Sequence, residues 1–135
     1  MTSERERSIF LHYAFPCAAE KLNAGKISQE MYEELEKAAM NNISPSSDLL
    51  KRCFPKRFAQ FEADLNLMSA EESWRRHQGS GGDCATKTTT VCAVDALGAM
   101  VIYGSETFVA INLYSLPITV GNTVTVHRRV IIEVL

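Results

Sequence analysis

The apolar pattern of this chain changes period once, at the glycine-rich stretch Gly79-Ser80-Gly81-Gly82-Asp83. Upstream, apolar residues recur at intervals of three and four; downstream they alternate or run in short β-branched blocks. The two patterns are not interchangeable, because side chains return to the same face about every 3.6 residues in a helix and every second residue in a strand. Residues with little conformational preference at the changeover read as a linker. The expected fold class is therefore α+β: a helical domain over 1–78, a linker over 79–83, and a small five-stranded OB-like β-barrel over 84–135.

In the helical half, Ser3-Glu4-Arg5-Glu6 has the spacing of a capping box, in which each side chain satisfies an amide at the other end of the first turn. Pro16 is expected to break that helix, because proline removes an amide and crowds the preceding turn. Gly25 then closes the resumed helix. Ser28 opens another, whose Met31, Tyr32, Leu35, Ala38 and Ala39 form one apolar face opposite a run of glutamates. Ser44-Pro45 reads as an N-cap followed by proline at the first helical position. Pro55 starts a further helix with Phe58, Phe61, Leu65 and Met68 on one stripe, and Ser69 with Glu72 caps a short one containing Trp74.

In the second half, strands are expected at 86–94, 99–103, 107–112, 123–127 and 130–134. Val124 and Val126 alternate with Thr123, Thr125 and His127, and Gly121-Asn122 supplies the turn before them. Five short strands in about fifty residues suit a closed or partly closed barrel, because closure removes exposed edges.

The charge balance narrows the function classes. A net charge of −2 argues against general nucleic-acid binding, which needs a basic surface against phosphate. No apolar run approaches the roughly 20 residues that span a bilayer, and the mixed-charge N-terminus does not read as a secretory signal; a cytoplasmic protein with no membrane partner is expected. From Ser80 onward the only charged residues are Lys87, Arg128, Arg129, Asp83, Asp95, Glu106 and Glu133. So sparse a charge on the β half suggests a surface covered by the helices, by a second copy in a homodimer, or by a partner protein.

Of the four cysteines, Cys17, Cys53 and Cys92 lie among apolar residues and read as small buried hydrophobes. No pair has the C-x-x-C spacing of a redox or zinc motif. Cys84 alone stands in a polar setting, behind the linker and ahead of a strand. Thiolate is a soft ligand suited to iron, and imidazole, as on His127, is a natural companion. Arg128 and Arg129 would favour the neutral, metal-binding form of that imidazole. His77 reads as a helix C-terminal residue facing the dipole, and His12 as a partly buried polar group. Neither a phosphate-binding glycine pattern nor a catalytic grouping of serine, histidine and carboxylate is present in recognisable context, so no enzymatic activity is expected.

Cys84, the strand Val91-Cys92-Ala93-Val94-Asp95, the turn Gly121-Asn122, His127 and the tail Ile132-Glu133-Val134-Leu135 follow one another in a familiar order. In that order, residues 84–135 resemble the HypC/HupF family of small hydrogenase-maturation chaperones. The resemblance implies a β-barrel that carries or docks an iron centre through Cys84, with His127 as second metal ligand. The iron would be transient, bearing cyanide and carbonyl ligands, and not tightly bound. The implied partners are a maturation scaffold protein and the hydrogenase large-subunit precursor, engaged through Cys84, Arg128 and Arg129. Three departures stand beside it. Ala85-Thr86-Lys87 replaces the family's small-apolar-proline run, Arg128-Arg129 replaces a glycine and apolar residues, and Cys84 is internal. The first two favour an alternative, a divergent barrel that serves as a protein–protein interaction module without metal. A thiol-dependent enzyme using Cys84 with His127 is the third reading; it requires the two side chains within hydrogen-bond reach.

Overall fold

The computed structural model describes residues 2–78 and 81–135; Gly79 and Ser80 of the expected linker lie outside the described residues. The chain divides into two compact units, Met1–Trp74 and Arg75–Leu135.

Short helices build the first unit: α1 Glu4–Ala14, α2 Ala18–Asn23, α3 Gln29–Met40, α4 Ser47–Cys53, α5 Pro55–Asp64 and α6 Ala70–Arg75, which runs to the boundary. Local chemistry sets most of their ends. The Ser3 hydroxyl accepts from the Glu6 amide at 3.1 Å while the Glu6 carboxylate accepts from the Ser3 amide at 2.8 Å, completing the capping box. Pro16 stops α1 and turns Phe15–Cys17 into a 3-10 turn. One expected cap moves. The residue that caps α4 is Ser46, whose hydroxyl accepts from Leu49 N, whereas Ser44 donates to the Glu4 carbonyl and the Pro45 carbonyl accepts from Arg7. Tertiary contacts thus claim the Ser44-Pro45 pair, and the next serine takes the cap.

Phe10 is the centre of this unit. It has no solvent exposure, and its ring lies 5.0–5.7 Å from those of Phe54, Phe58, Phe61 and Trp74 at edge-on or tilted angles. Burying such a side chain contributes about 1.5–3 kcal/mol, and each edge-to-face pair about 0.5–1.5 kcal/mol beyond that. Tyr13 stacks on Trp74 at 5.2 Å, and the Arg57 guanidinium covers the Trp74 ring at 4.2 Å.

The second unit is a closed barrel of β1 Lys87–Val94, β2 Gly98–Tyr103, β3 Glu106–Ile111, β4 Thr123–His127 and β5 Val130–Val134, in the order β1-β2-β3-β5-β4. All pairings are antiparallel except β3 with β5, which is the OB arrangement that the spacing of strands predicts. Its core is narrow. Val91, Val101, Val124, Val126 and Ile131 interdigitate with the small Ala99 and Ala110. The Asp95 carboxylate accepts from the Leu97 and Gly98 amides, at 2.8 and 2.9 Å, and so shapes the β1–β2 hairpin.

Cys92 departs from expectation. Val91 faces the core, so strand alternation turns Cys92 outward, exposed, with its thiol donating to the Met100 carbonyl; the register of β1 against β2 shifts between Val91 and Ala93, and Ala93 is exposed as well. Cys53 is buried as expected; burial, with the Glu34 charge adding, pushes its thiol up to about 11, leaving a side chain that packs and does not react. Among the described residues no helix is long and apolar enough to cross a membrane.

Candidate metal centre

His127 is the last residue of β4, and its position is fixed by an unusual hairpin. Its Cα partner across the turn is Val130, so Arg128 and Arg129 are the two corner residues. Both hold positive φ, 53° and 61°. Positive φ at both corners defines the type I′ turn, whose twist matches paired strands but which normally takes Asn-Gly. Two arginines there carry strain of about 1–3 kcal/mol each. The hairpin buries His127 to 1% exposure.

Cys84 ends a 3-10 turn, Gly82–Cys84, immediately before β1, and is half-buried. The His127 Nε2–H donates to the Cys84 carbonyl at 3.0 Å. A carbonyl accepts only, so the neutral ring carries its proton on Nε2 and its lone pair on Nδ1. Metal-ligating histidines use this type of opposite-nitrogen contact to hold tautomer and orientation.

The third member is His77, which the sequence reading set aside as a dipole-facing helix end. Helix α6 stops at Arg75, and His77 lies beyond it, outside any helix or strand. Two ties place it. Arg75 pairs with Glu133 of β5 at 3.1 Å, and the Thr86 amide donates to the His77 carbonyl at 3.0 Å, closing the loop that carries Cys84. The Cys84 Sγ lies 4.0 Å from His77 Nε2. The His77 and His127 rings approach edge-to-face, 5.6 Å between centroids. One ligand atom from each of His77, Cys84 and His127 falls within 4.8 Å of the other two.

No family model, curated protein or solved structure matches the chain. The chemistry of the donor set therefore carries the reading. One thiolate and two imidazoles form a borderline-soft set that suits zinc, iron(II) or cobalt(II) rather than calcium or magnesium. The His127 ring meets the Cys84 backbone carbonyl, while the Cys84 sulfur lies 4.0 Å from His77 Nε2.

Folding thus brings together the two expected metal residues, Cys84 and His127, and sets Arg128 and Arg129 in the turn directly after His127. Arg129 is exposed, with its guanidinium 5.4 Å from the Phe108 ring centre. His12 is remote in sequence and belongs to the helical unit, half-buried there as expected. The signal that could have found His77 is its spacing of seven from Cys84 across a glycine-rich loop, short enough for the chain to double back.

Proposed function

We propose that this chain is a non-enzymatic accessory protein of nickel–iron hydrogenase maturation, carrying or docking an iron centre through Cys84 and His127. The observation that carries the reading is the 3.0 Å contact between His127 Nε2 and the Cys84 backbone. It unites, at one end of an OB-like barrel, the two residues that the family resemblance names, although 43 positions separate them in the chain. A site with few protein ligands leaves coordination positions for cyanide, carbon monoxide and an incoming acceptor, so iron can pass on by ligand exchange. The partners are a maturation scaffold and the hydrogenase large-subunit precursor, docking beside Cys84, Arg128 and Arg129. Such a role places the protein in the cytoplasm.

The test is an infrared spectrum of anaerobically purified protein co-expressed with the maturation scaffold, comparing wild type with Cys84→Ala. Bands of iron-bound cyanide and carbon monoxide are expected in the wild type alone. Their absence from both proteins, with an active scaffold, would sink the carrier role.

One observation favours the interaction-module reading instead. Met100 and Ile102 of β2 and Val109 and Ile111 of β3 are 38–54% exposed on the outside of the barrel, an apolar row of the kind that marks protein contacts. Undiminished scaffold binding by Cys84→Ala, with no infrared bands, is the outcome that this reading predicts.

A further inference from the structure

We propose that His77 is a third protein ligand, so that His77, Cys84 and His127 form a two-nitrogen, one-sulfur site for a divalent transition-metal ion. For the identity of its cargo, iron, the inference rests on the reading above; the site itself stands on geometry. Sequence spacing offers His77 no role, and the family resemblance begins only at Cys84.

The argument starts from what holds His77 in place. The Arg75–Glu133 pair at 3.1 Å and the Thr86 amide on the His77 carbonyl at 3.0 Å tie the segment to β5 and to the residue before β1. Opposite, His127 is buried and its ring is oriented by the Cys84 carbonyl. The Cys84 sulfur is 4.0 Å from His77 Nε2.

Ligands about 2.0–2.3 Å from a tetrahedral ion stand roughly 3.4–3.6 Å from one another. The three donors lie within 4.8 Å of one another, so an ion need close each separation by at most about 1.4 Å, a shift within reach of side-chain torsions. Three protein ligands leave the fourth position open, as in catalytic rather than structural zinc sites. In a carrier, that open position is where an exogenous ligand or the acceptor enters, while the third ligand holds the metal between transfers. The plainer alternative is a thiol–imidazole contact with two packed rings and no affinity for metal; it predicts that changing His77 leaves metal binding untouched.

Cobalt(II) separates the two. The full-length protein is titrated anaerobically with cobalt(II) under reducing conditions, alongside His77→Gln and Cys84→Ser. One equivalent is expected to bind the wild type with a thiolate-to-cobalt charge-transfer band and the intense visible bands of four-coordination. Cys84→Ser should lose the charge-transfer band. His77→Gln should keep it while binding about a hundredfold more weakly, one ligand's share of a site of this kind. Wild-type affinity and spectrum in His77→Gln would overturn the proposal and leave the Cys84–His127 reading intact. Absence of a charge-transfer band from the wild type would overturn it too, while iron-cyanide bands in the infrared test could still uphold the carrier role. Should a variant fail to fold, paramagnetic proton spectra of the cobalt-loaded wild type decide. Two shifted imidazole N–H resonances support the site, and one overturns His77 as a ligand.

Discussion

The two arginines after His127 hold a backbone conformation that residues other than glycine rarely adopt. Their positive φ angles, 53° and 61°, are ones that Asn-Gly adopts with little strain. The Arg129 contact with Phe108, at 5.4 Å, is worth about 0.5–1 kcal/mol at an exposed site. The strain of two such residues is larger than that one contact. Replacing the pair by Arg128→Asn with Arg129→Gly is expected to stabilise the barrel by about 1 kcal/mol, read as a raised midpoint of chemical denaturation. A lowered midpoint would mean that the arginines hold the hairpin together. If partner docking falls as stability rises, the strain is retained for binding, the trade expected where a local rule is broken at a functional surface.

At the scale of elements, the weakest tolerance in the barrel is where β2 meets β3. A Cβ on Gly98 would overlap the Ala110 carbonyl oxygen, and both atoms belong to paired backbones that cannot step apart without losing the Gly98–Ile111 and Ala99–Ala110 register. Gly98→Ala is therefore expected to cost the barrel several kcal/mol, above the roughly 0.5–3 kcal/mol of ordinary substitutions. Loss of β structure in the far-ultraviolet spectrum while the Trp74 emission stays native would be the signature, since Trp74 reports the helical unit. Retained β structure would show that the hairpin can shift. Helix ends and hairpins were legible where they depend on neighbours in sequence: the Ser3–Glu6 box, the break at Pro16, and β4 and β5, whose expected limits coincide with the observed ones. Where tertiary partners compete, as for Ser44 and Pro45, the local signal pointed two residues off.

For the molecule as a whole, pH acts on the helical unit through His12. Burial lowers its pKa below the ordinary 6.5, with a hydrogen bond to the Ala39 backbone opposing. In the folded state the ring therefore stays neutral at pH values where the unfolded chain already binds a proton. The unfolded state gains protons first, so stability is full above about pH 6.5 and declines as the pH falls through and below it. The decline can be no steeper than about 1.4 kcal/mol per pH unit for one proton. Denaturation followed by Trp74 fluorescence should show it in the wild type, and His12→Gln should flatten it. An unchanged slope in the variant would assign the acid sensitivity to other groups.

The sequence by itself determined the change from helical to strand period, the strand count that leads to a five-stranded barrel, and the residue types on which metal chemistry depends. Periodicity and turn chemistry act over a few residues, and they were sufficient for that. Only the tertiary structure decided that Cys92 faces outward, because it alone shows that Thr89 and Val91 carry the core face of β1, which leaves Cys92 on the other face. It alone decided that His77 stands with Cys84 and His127, because that placement depends on Arg75 finding Glu133 and on Thr86 closing back to His77. Contacts across dozens of residues leave no period in the chain; they exist only once the barrel has closed.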